Sequence, residues 1–336
     1  MNLKTTNHSI KAISIVLPKN PLHKEDELKL CNINERKYQL LQENSGIFNH
    51  FVSDDSTYAS DLATQALEEL FSKDILKKDE IDLLVFTSFT PDYLAPACTS
   101  LIHKNLNLSS HTLCLDVLGF CPGFLQSLLQ VFLALNQQNI KKAILICASV
   151  KSKAIDTQKD KITFLNNSDS ASAILIEKNT NTEDKSYFSQ KIFSTQCIEE
   201  TLPYGGLRLD SLNILKVDNN LTFSFIMQNY PTFFQEFFEH FNLEKTSFDE
   251  FFIHSSDNFS KQKLYERLNL NFIQDNILKN YGNTTINKLP LELASYTGRG
   301  GGDKQIFLGS FGTGITFNAC SLKINFDKLQ SFIKVV

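Results

Sequence analysis

The sequence predicts an α/β protein with two mixed, mostly parallel sheets, and two observations support this fold class. Short apolar runs alternate with longer segments whose apolar residues recur at helical spacing. This alternation is typical of β-α-β units, in which a sheet is buried on both faces. A similar order of strands and helices occurs in both halves of the chain, which indicates a duplicated architecture.

Predicted strands and helices follow each other through both halves. The strands are short apolar runs, and they lie at residues 10–16, 82–88, 113–117, 142–149, 171–177, 248–254, 305–310 and 314–323. The helices have apolar residues at helical spacing, and they lie within residues 55–76, 99–106, 123–138, 228–241, 260–268 and 285–294. Residues 178–186 are polar and aperiodic, so we expect a boundary there, between halves at 1–180 and 181–336.

Composition argues against several classes of protein. The 336-residue chain has a formal net charge of -4, which gives no broad basic surface for nucleic acid. Its seven cysteines are odd in number and include no CxxC pair, so we expect neither a metal site nor a disulfide framework. No apolar run approaches the length of a membrane span, which is about twenty residues. We therefore expect a cytoplasmic protein. The 28 phenylalanines fit an aromatic core or, alternatively, a channel for an apolar ligand.

The segment LDVLGFCPGF at residues 115–124 places Cys121 where an apolar strand ends and a long apolar helix begins. Pro122 follows, in a position that the first turn of a helix tolerates. A thiol there lies near the positive end of the helix and its unpaired N–H groups. Both favour the thiolate, which is the nucleophilic form of cysteine. A buried structural cysteine is the alternative.

Two further polar residues lie at the ends of predicted elements. FFIHSSD places His254 where a strand runs into a polar turn, and catalytic groups in parallel α/β sheets collect at the C-terminal ends of strands. A core or surface histidine is the alternative. YGNTT places Asn283 before a helical segment, where its amide could donate a hydrogen bond to an oxyanion or could cap a turn.

GSFGTG at residues 309–314 is a glycine-bearing turn between two apolar runs. Its backbone N–H groups could face a reacting carbonyl, or it is an ordinary tight turn. We expect the glycine run at 298–302 to be a surface loop. Neither this run nor GSFGTG fits a nucleotide-binding pattern.

In this order, the segments resemble the ketoacyl-ACP synthase III family of the thiolase superfamily. TPDYLAP resembles the family's TPDY-x-x-P, LDVLGFCPGF its D-x-x-x-A-C-S-G-F nucleophile element, FFIHSSDN its P-H-Q-A-N, YGNTT its YGNTS, and SFGTG its GFGGG. SGI at residues 45–47 resembles its TGI. The resemblance covers nearly the whole chain, with His254 133 positions after Cys121 and Asn283 29 positions after His254.

The resemblance implies a fold and a chemistry. The fold would be the thiolase fold, a duplicated αβαβα arrangement in five layers. Cys121 would carry an acyl group, and His254 and Asn283 would hydrogen-bond the thioester carbonyl of an extender. The backbone N–H groups of Cys121 and Thr313 would form an oxyanion hole.

The resemblance also implies substrates and partners. Acyl-ACP or acyl-CoA and malonyl-ACP would be the thioester substrates, with no bound cofactor. An acyl carrier protein would be a partner, and the chain would form a homodimer. Ala95, Phe311 and Gly312 would lie along the acyl tunnel, and the small side chain of Ala95 would permit a longer or bulkier acyl chain.

The chain departs from the family at several positions. GDGAGA appears as SDSASA at residues 168–173, with Asp169 kept and every glycine replaced by serine, which would strain any position that needs a positive φ. The usual coenzyme A-binding tryptophan and arginine positions hold Leu40 and Asn44, and the arginine before GDGAGA is Lys161. These changes favour an acyl carrier protein thioester over acyl-CoA as the donor.

The main hypothesis is a decarboxylative condensing enzyme of fatty acid or specialised metabolite biosynthesis. An acyltransferase that moves the acyl group of Cys121 to an alcohol, an amine or an unusual carbon acceptor is an alternative. A non-catalytic partner subunit of a heterodimeric synthase is another. A Cys-His-Asn thiol protease shares the residue types, but its usual signatures around the cysteine are absent.

Overall fold

The structure is a computed structural model that describes residues 1–19, 22–179, 184–193, 214–215, 218–272, 276–296, 302–312 and 314–336. Three predicted features fall outside these ranges: the boundary at residue 180, most of the glycine run at 298–302, and Thr313.

The described strands are β1 to β11, and they lie at Asn2–Thr5, His8–Leu17, Leu83–Ser88, Leu113–Leu118, Lys142–Ser149, Ser170–Lys178, Ser186–Ile192, Glu250–Ile253, Asp303–Gly312, Thr316–Asn325 and Gln330–Val335. The described α-helices are α1 to α10, and they lie at Lys24–Leu30, Glu35–Ser45, Ala59–Ser72, Cys98–Leu106, Gly123–Ala134, Lys161–Asn166, Asn219–Phe241, Asn258–Leu268, Asn276–Tyr281 and Lys288–Ser295. None of these described helices combines the length and the apolarity that crossing a membrane requires.

The strands form two mixed sheets, as predicted. A six-stranded sheet has the order β11-β2-β6-β5-β3-β4, and a five-stranded sheet has the order β1-β7-β10-β9-β8. The parallel share is smaller than predicted, because five of the nine described pairings are antiparallel. One reason is the short turn between β9 and β10, since strands joined by a tight turn can only pair antiparallel.

Helices and sheets alternate in five layers, which confirms the predicted αβαβα architecture. Helices α5 and α10 lie between the two sheets and share one core with strands of both. Helices α3 and α4 cover the outer face of the six-stranded sheet, and α7 and α8 cover the five-stranded sheet. Because α5 is enclosed between two sheets, its sequence GFLQSLLQVFLA is apolar on nearly every side.

The two terminal strands cross between the halves. Strand β1 pairs with β7 in the five-stranded sheet, whereas β11 pairs with β2 in the six-stranded sheet. Each sheet therefore contains a strand from the opposite end of the chain. The division at residues 180 and 181 stays a prediction.

Helix α7 begins earlier than predicted, at Asn219 instead of residue 228. Asp218 caps it, because its side chain accepts a hydrogen bond from the backbone N–H of Leu221 at 2.8 Å. The helix buries a row of phenylalanines that includes Phe233 and Phe237 against the five-stranded sheet. Many of the 28 phenylalanines thus belong to a packed core.

We expect the central layer to carry much of the stability. Leu128 on α5 is fully buried, whereas Leu133 on the same helix is 42% exposed. Leu128→Ala should lower the free energy of unfolding by about 3 kcal/mol, and Leu133→Ala by less than about 1 kcal/mol. Urea unfolding of both variants measures this. Equal losses would contradict a packed central helix.

Candidate active site

Cys121 lies in the turn that joins β4 to α5. The turn is tight, because the N–H of Gly123 donates to the carbonyl of Phe120 at 2.7 Å. A Cβ on Gly119 would come within 2.8 Å of the Gly123 Cα atom, so only glycine fits at position 119. Helix α5 begins at Gly123 with Pro122 as its N-cap. Cys121 therefore lies just before the helix and keeps partial exposure.

The position of Cys121 before a helix predicts a stabilised thiolate, but the structure indicates the opposite. Burial raises the pKa of Cys121 to about 11. The positive charge of Lys151 and the backbone N–H of Cys121 act in the opposite direction but do not overcome burial. In the free protein at neutral pH, Cys121 is therefore a thiol.

His254 follows strand β8. Its backbone N–H donates to the carbonyl of Gly309 at 2.9 Å, which continues the pairing of β8 with β9 beyond the strand. Its ring is 4% exposed and meets the Phe311 ring edge-on, with 5.8 Å between centroids. Burial lowers the pKa of His254 to about 3, with smaller contributions from the charges of Lys288, Lys151 and Lys261. His254 is thus a neutral imidazole at neutral pH, with one N–H to donate.

Two of the three lysines that act on His254 share a carboxylate. Glu292 accepts a hydrogen bond from Lys261 at 2.8 Å and lies 3.4 Å from the Lys288 ammonium. All three side chains are buried. Because one carboxylate faces two ammonium groups, the surroundings of His254 carry an excess of positive charge.

Asn283 lies in the loop between α9 and α10. Its backbone N–H donates to the carbonyl of Asn166 at 2.8 Å, and its side-chain oxygen accepts from the N–H of Thr285 at 3.0 Å. Because a backbone N–H can only donate, this contact fixes which end of the amide is oxygen. The side-chain NH₂ of the buried Asn283 is consequently the end that can donate to a ligand.

Three segments of the chain meet around Cys121. A Cβ on Gly312, at the end of β9, would lie 2.5 Å from the Pro122 ring and 3.5 Å from the Cys121 Cβ atom. Gly312 follows Phe311, whose ring contacts His254. On the other side, a Cβ on Gly123 would lie 3.0 Å from Ile286, three residues after Asn283. The segments that carry the predicted cysteine, histidine and asparagine therefore converge.

The other predicted site residues divide into three groups. Phe311 and Gly312 lie at the junction just described. Thr313, the second predicted oxyanion donor, is outside the described residues. Ala95 is exposed in the loop before α4. A role for Ala95 in an acyl tunnel therefore stays a prediction.

Known proteins resemble this chain along its length. A sequence model of the family described as 3-oxoacyl-[acyl-carrier-protein (ACP)] synthase III matches residues 115–196. A Campylobacter jejuni protein named as a 3-oxoacyl-[acyl-carrier-protein] synthase 3 is 25% identical, over 98% of this chain and 97% of its own length. A beta-ketoacyl-[acyl-carrier-protein] synthase III of Streptococcus pneumoniae is 22% identical, over 94% and 98%.

Solved structures share the fold. A 3-oxoacyl-(acyl-carrier protein) synthase of Burkholderia xenovorans superposes with a TM-score of 0.89 at 22% identity, over 99% of this chain and 98% of its own. The resemblance to ketoacyl-ACP synthase III is confirmed. OleA of Xanthomonas campestris superposes with a TM-score of 0.80 at 17% identity, over 96% and 99%. The thiolase fold of this synthase III-like chain is therefore confirmed as well.

The serines that replace glycine in this synthase III-like chain are not strained. None of Ser168, Ser170 and Ser172 has a positive φ. Their hydroxyls make hydrogen bonds instead: Ser168 accepts from the N–H of Phe51, and Ser172 donates to Asn287 at 2.7 Å. Because none of these positions needs a positive φ, the condition under which serine would be strained there is not met.

Asp169 ties three segments together beneath the site. Its fully buried carboxylate accepts from the backbone N–H groups of Ser53 and Ser152, from the Ser152 hydroxyl and from the Asn167 amide. Burial nevertheless raises its pKa. Its role is to hold these loops in place, and no contact with Cys121 is described.

Sequence reasoning missed Lys151, which directly follows β5 and begins one turn of 3-10 helix. The residue is 8% exposed, and its charge acts on both Cys121 and His254. The sequence did contain one indication of its importance. Lys151 comes two residues after a predicted strand, and functional groups in α/β sheets collect at the C-terminal ends of strands.

Stability should depend on pH through His254. The unfolded histidine binds a proton below about pH 6.5, while the folded side chain stays neutral because its pKa is about 3. The unfolded state thus binds more protons between these values, and the protein loses stability as pH falls through 6.5. This one group should account for about 2 kcal/mol between pH 7.5 and pH 5.

Urea unfolding of the wild type and of His254→Gln at both pH values measures this. The loss on acidification should be about 2 kcal/mol smaller in the variant. Identical losses would mean that His254 is not held neutral. His8→Gln is a useful comparison, because burial also lowers the pKa of His8, to about 4, far from this site.

Proposed function

We propose that this protein is an acyl-thioester condensing enzyme whose nucleophile is Cys121. The observation that carries the proposal is the junction of Gly312, Pro122 and Cys121, to which His254 and Asn283 are joined by neighbouring residues. A nucleophile with two amide- or imidazole-type donors at one place is the arrangement that acyl transfer through an oxyanion requires.

In the first half-reaction, the sulfur of Cys121 attacks the carbonyl carbon of an acyl thioester. A new carbon–sulfur bond forms, the bond to the donor sulfur breaks, and the thiol proton leaves with the released donor thiol. The tetrahedral oxyanion would be stabilised by the backbone N–H of Cys121 together with that of Thr313.

In the second half-reaction, a malonyl-type extender loses CO₂. The electron pair of the broken carbon–carbon bond becomes an enolate, whose oxygen accepts hydrogen bonds from the neutral His254 and the NH₂ group of Asn283. The enolate carbon then attacks the acyl group on Cys121, which releases the sulfur and a β-ketoacyl product. A neutral imidazole suits this task, because it donates one N–H and stays uncharged.

The acyl donor is proposed to be an acyl carrier protein thioester. Leu40 on α2 is 49% exposed and offers no tryptophan ring to an adenine base. The ammonium of Lys161 donates to the carbonyl of Asn32 at 3.3 Å, so it is directed at the protein backbone. Both features support a carrier-protein donor over acyl-CoA.

An acyl transfer to an alcohol, amine or other carbon acceptor is the second candidate. Ser255 stands where the family motif has glutamine, and its buried hydroxyl has no hydrogen-bond partner among the described residues. A polar group that is unsatisfied beside His254 could receive an acceptor other than a malonyl thioester. Release of CO₂ from malonyl-ACP separates the two candidates.

Acylation should depend on Cys121 and not on Cys114, the other half-exposed cysteine among the described residues. We expect acyl-ACP to add one acyl mass to the wild type and to Cys114→Ala, and none to Cys121→Ala. Intact-protein mass spectrometry with acyl-ACP and acyl-CoA donors measures this. An unmodified Cys121 with every donor tried would contradict the proposal.

His254 and Asn283 should act after acylation. His254→Ala and Asn283→Ala should still be acylated at Cys121, while release of ¹⁴CO₂ from malonyl-ACP should fall by about 10² to 10³-fold, the usual effect of removing one oxyanion donor. Undiminished CO₂ release in both variants would assign the enolate to other donors.

We also propose that the chain forms a homodimer through strand β4. This strand pairs only with β3 among the described strands, and it exposes Leu113 by 57% and Leu118 by 78%. An apolar edge strand of this kind is typically covered in the working assembly.

A charge on this edge should weaken the dimer. Leu118→Lys should shift the protein towards monomer in analytical ultracentrifugation, whereas Leu133→Lys, at an exposed leucine on α5, should leave the assembly unchanged. A monomeric wild type, or a dimer that Leu118→Lys does not affect, would rule out this interface.

A further inference from the structure

Lys151 is a buried lysine that the proposed mechanism does not use. It is 8% exposed, and lysine is rarely buried to this extent unless it is paired. Its side chain makes no hydrogen bond and no ion pair within the part of the chain that the structure describes. A lysine this buried, with no hydrogen-bonded carboxylate, is available to a group that becomes charged during the reaction, or to a ligand.

The backbone holds Lys151 in place on both sides. The N–H of Val150 donates to the Thr90 hydroxyl at 3.0 Å, and the N–H of Ser152 donates to Asp169 at 3.0 Å. Two fixed neighbours leave the backbone of Lys151 little freedom, so the fold sets the point from which its side chain extends.

The sheet brings Lys151 to the same edge as Cys121. Strands β4 and β5 both run parallel to β3 and pair with its opposite sides, so their C-terminal ends lie about 10 Å apart. Cys121 comes three residues after β4 ends, and Lys151 comes two residues after β5 ends. A long side chain between them can span most of this distance.

The carboxylates near Lys151 do not explain why this lysine is buried, because each already has other partners. The groups whose negative charge acts on it are Asp160, Asp169 and, once it is ionised, Cys121. Asp160 caps α6 through the N–H of Thr163, and Asp169 already accepts four hydrogen bonds.

The remaining neighbour is the sulfur. We propose that Lys151 is the counter-ion of Cys121: its buried ammonium stabilises the thiolate that forms as the sulfur attacks the acyl donor. The inference rests on the proposed role of Cys121 as nucleophile, and it makes Lys151 a positioning residue that acts through the sulfur. The reaction stays balanced, because the thiol proton leaves with the donor thiol and the lysine keeps its own.

The electrostatics of the two groups agree with this pairing. Burial raises the pKa of the Cys121 thiol and lowers the pKa of the Lys151 ammonium, and the charge of each group opposes the effect of burial on the other. His254, the third titratable group of the site, is kept neutral and does not compete for the thiolate as a cation. Lys288 and Lys261 act on His254.

Alkylation of Cys121 in the absence of any acyl donor tests the proposal. The rate constant for iodoacetamide, followed by mass at Cys121 between pH 6.5 and 9, reports the thiolate fraction. In Lys151→Met it should fall about ten-fold at each pH, which corresponds to a rise of one pKa unit. Lys151→Arg should stay within about three-fold of wild type, because it keeps the charge.

Lys153→Met is the matched control, because Lys153 lies in the same turn but is exposed, with its ammonium on the carbonyl of Asp54. Its alkylation rate should equal that of the wild type. The anionic reagent iodoacetate adds a second readout: its rate relative to iodoacetamide should fall in Lys151→Met, because the positive charge that attracts the anion is gone. If Lys151→Met does not fold, Lys151→Gln replaces it.

Equal alkylation rates in the wild type and a folded, uncharged Lys151 variant would overturn the counter-ion role. A different result would contradict the proposed function: Cys121 would alkylate in a Lys151-dependent way but would accept no acyl group from any donor.

Discussion

The close approach between the end of β9 and the turn before α5 is the constraint on which the site depends. Gly312 lies so near the Pro122 ring that a Cβ there would be 2.5 Å from it. This contact joins the C-terminal half of the chain to the segment that carries Cys121. Because β9 also positions His254 through the carbonyl of Gly309, the same strand orients the nucleophile turn and the imidazole. The turn leads directly into the central helix α5, which packs against strands of both sheets.

Burial keeps two side chains of the site uncharged, whereas nearby lysines add positive charge. It keeps Cys121 a thiol and His254 a neutral imidazole, while Lys151, Lys288 and Lys261 surround them with positive charge. These positive charges stabilise a thiolate or an enolate that forms during the reaction, although in the free protein they do not overcome the effect of burial. The chemistry that we propose passes through both, so the same environment would assist both half-reactions.

Much of the architecture could be predicted from local patterns, and the failures have physical causes. Strand β5 was predicted with its observed ends at residues 142–149, because a fully buried strand is apolar along its length. Strands β1 and β7 were missed, since they mix polar and apolar residues and owe their place to long-range pairing. Helix α2 was missed because its sequence ERKYQLLQENS is mostly polar.

The residues of the candidate site could likewise be predicted only in part. Cys121, His254 and Asn283 could be selected from the sequence because each lies beside a predicted strand or helix in a familiar motif, and their roles stay predictions. Lys151 was missed, because KSKA after a strand has the composition of an exposed turn, and only the packing of distant segments buries its first lysine. Whether Ser168 to Ser172 need a positive φ could not be predicted for a related reason: backbone φ at those positions is decided by the sheet and loop contacts, which a motif comparison does not contain.

The central claim is that one ligand touches the imidazole and the carboxamide while it faces the sulfur. A crystal structure of the protein with a non-hydrolysable amide analogue of a malonyl thioester tests this most directly. The account predicts that the analogue's carbonyl oxygen lies within about 3.2 Å of both the His254 ring nitrogen and the Asn283 side-chain nitrogen, on the side that faces Cys121. An analogue that contacts neither residue, or His254 and Asn283 opening into separate cavities, would contradict it.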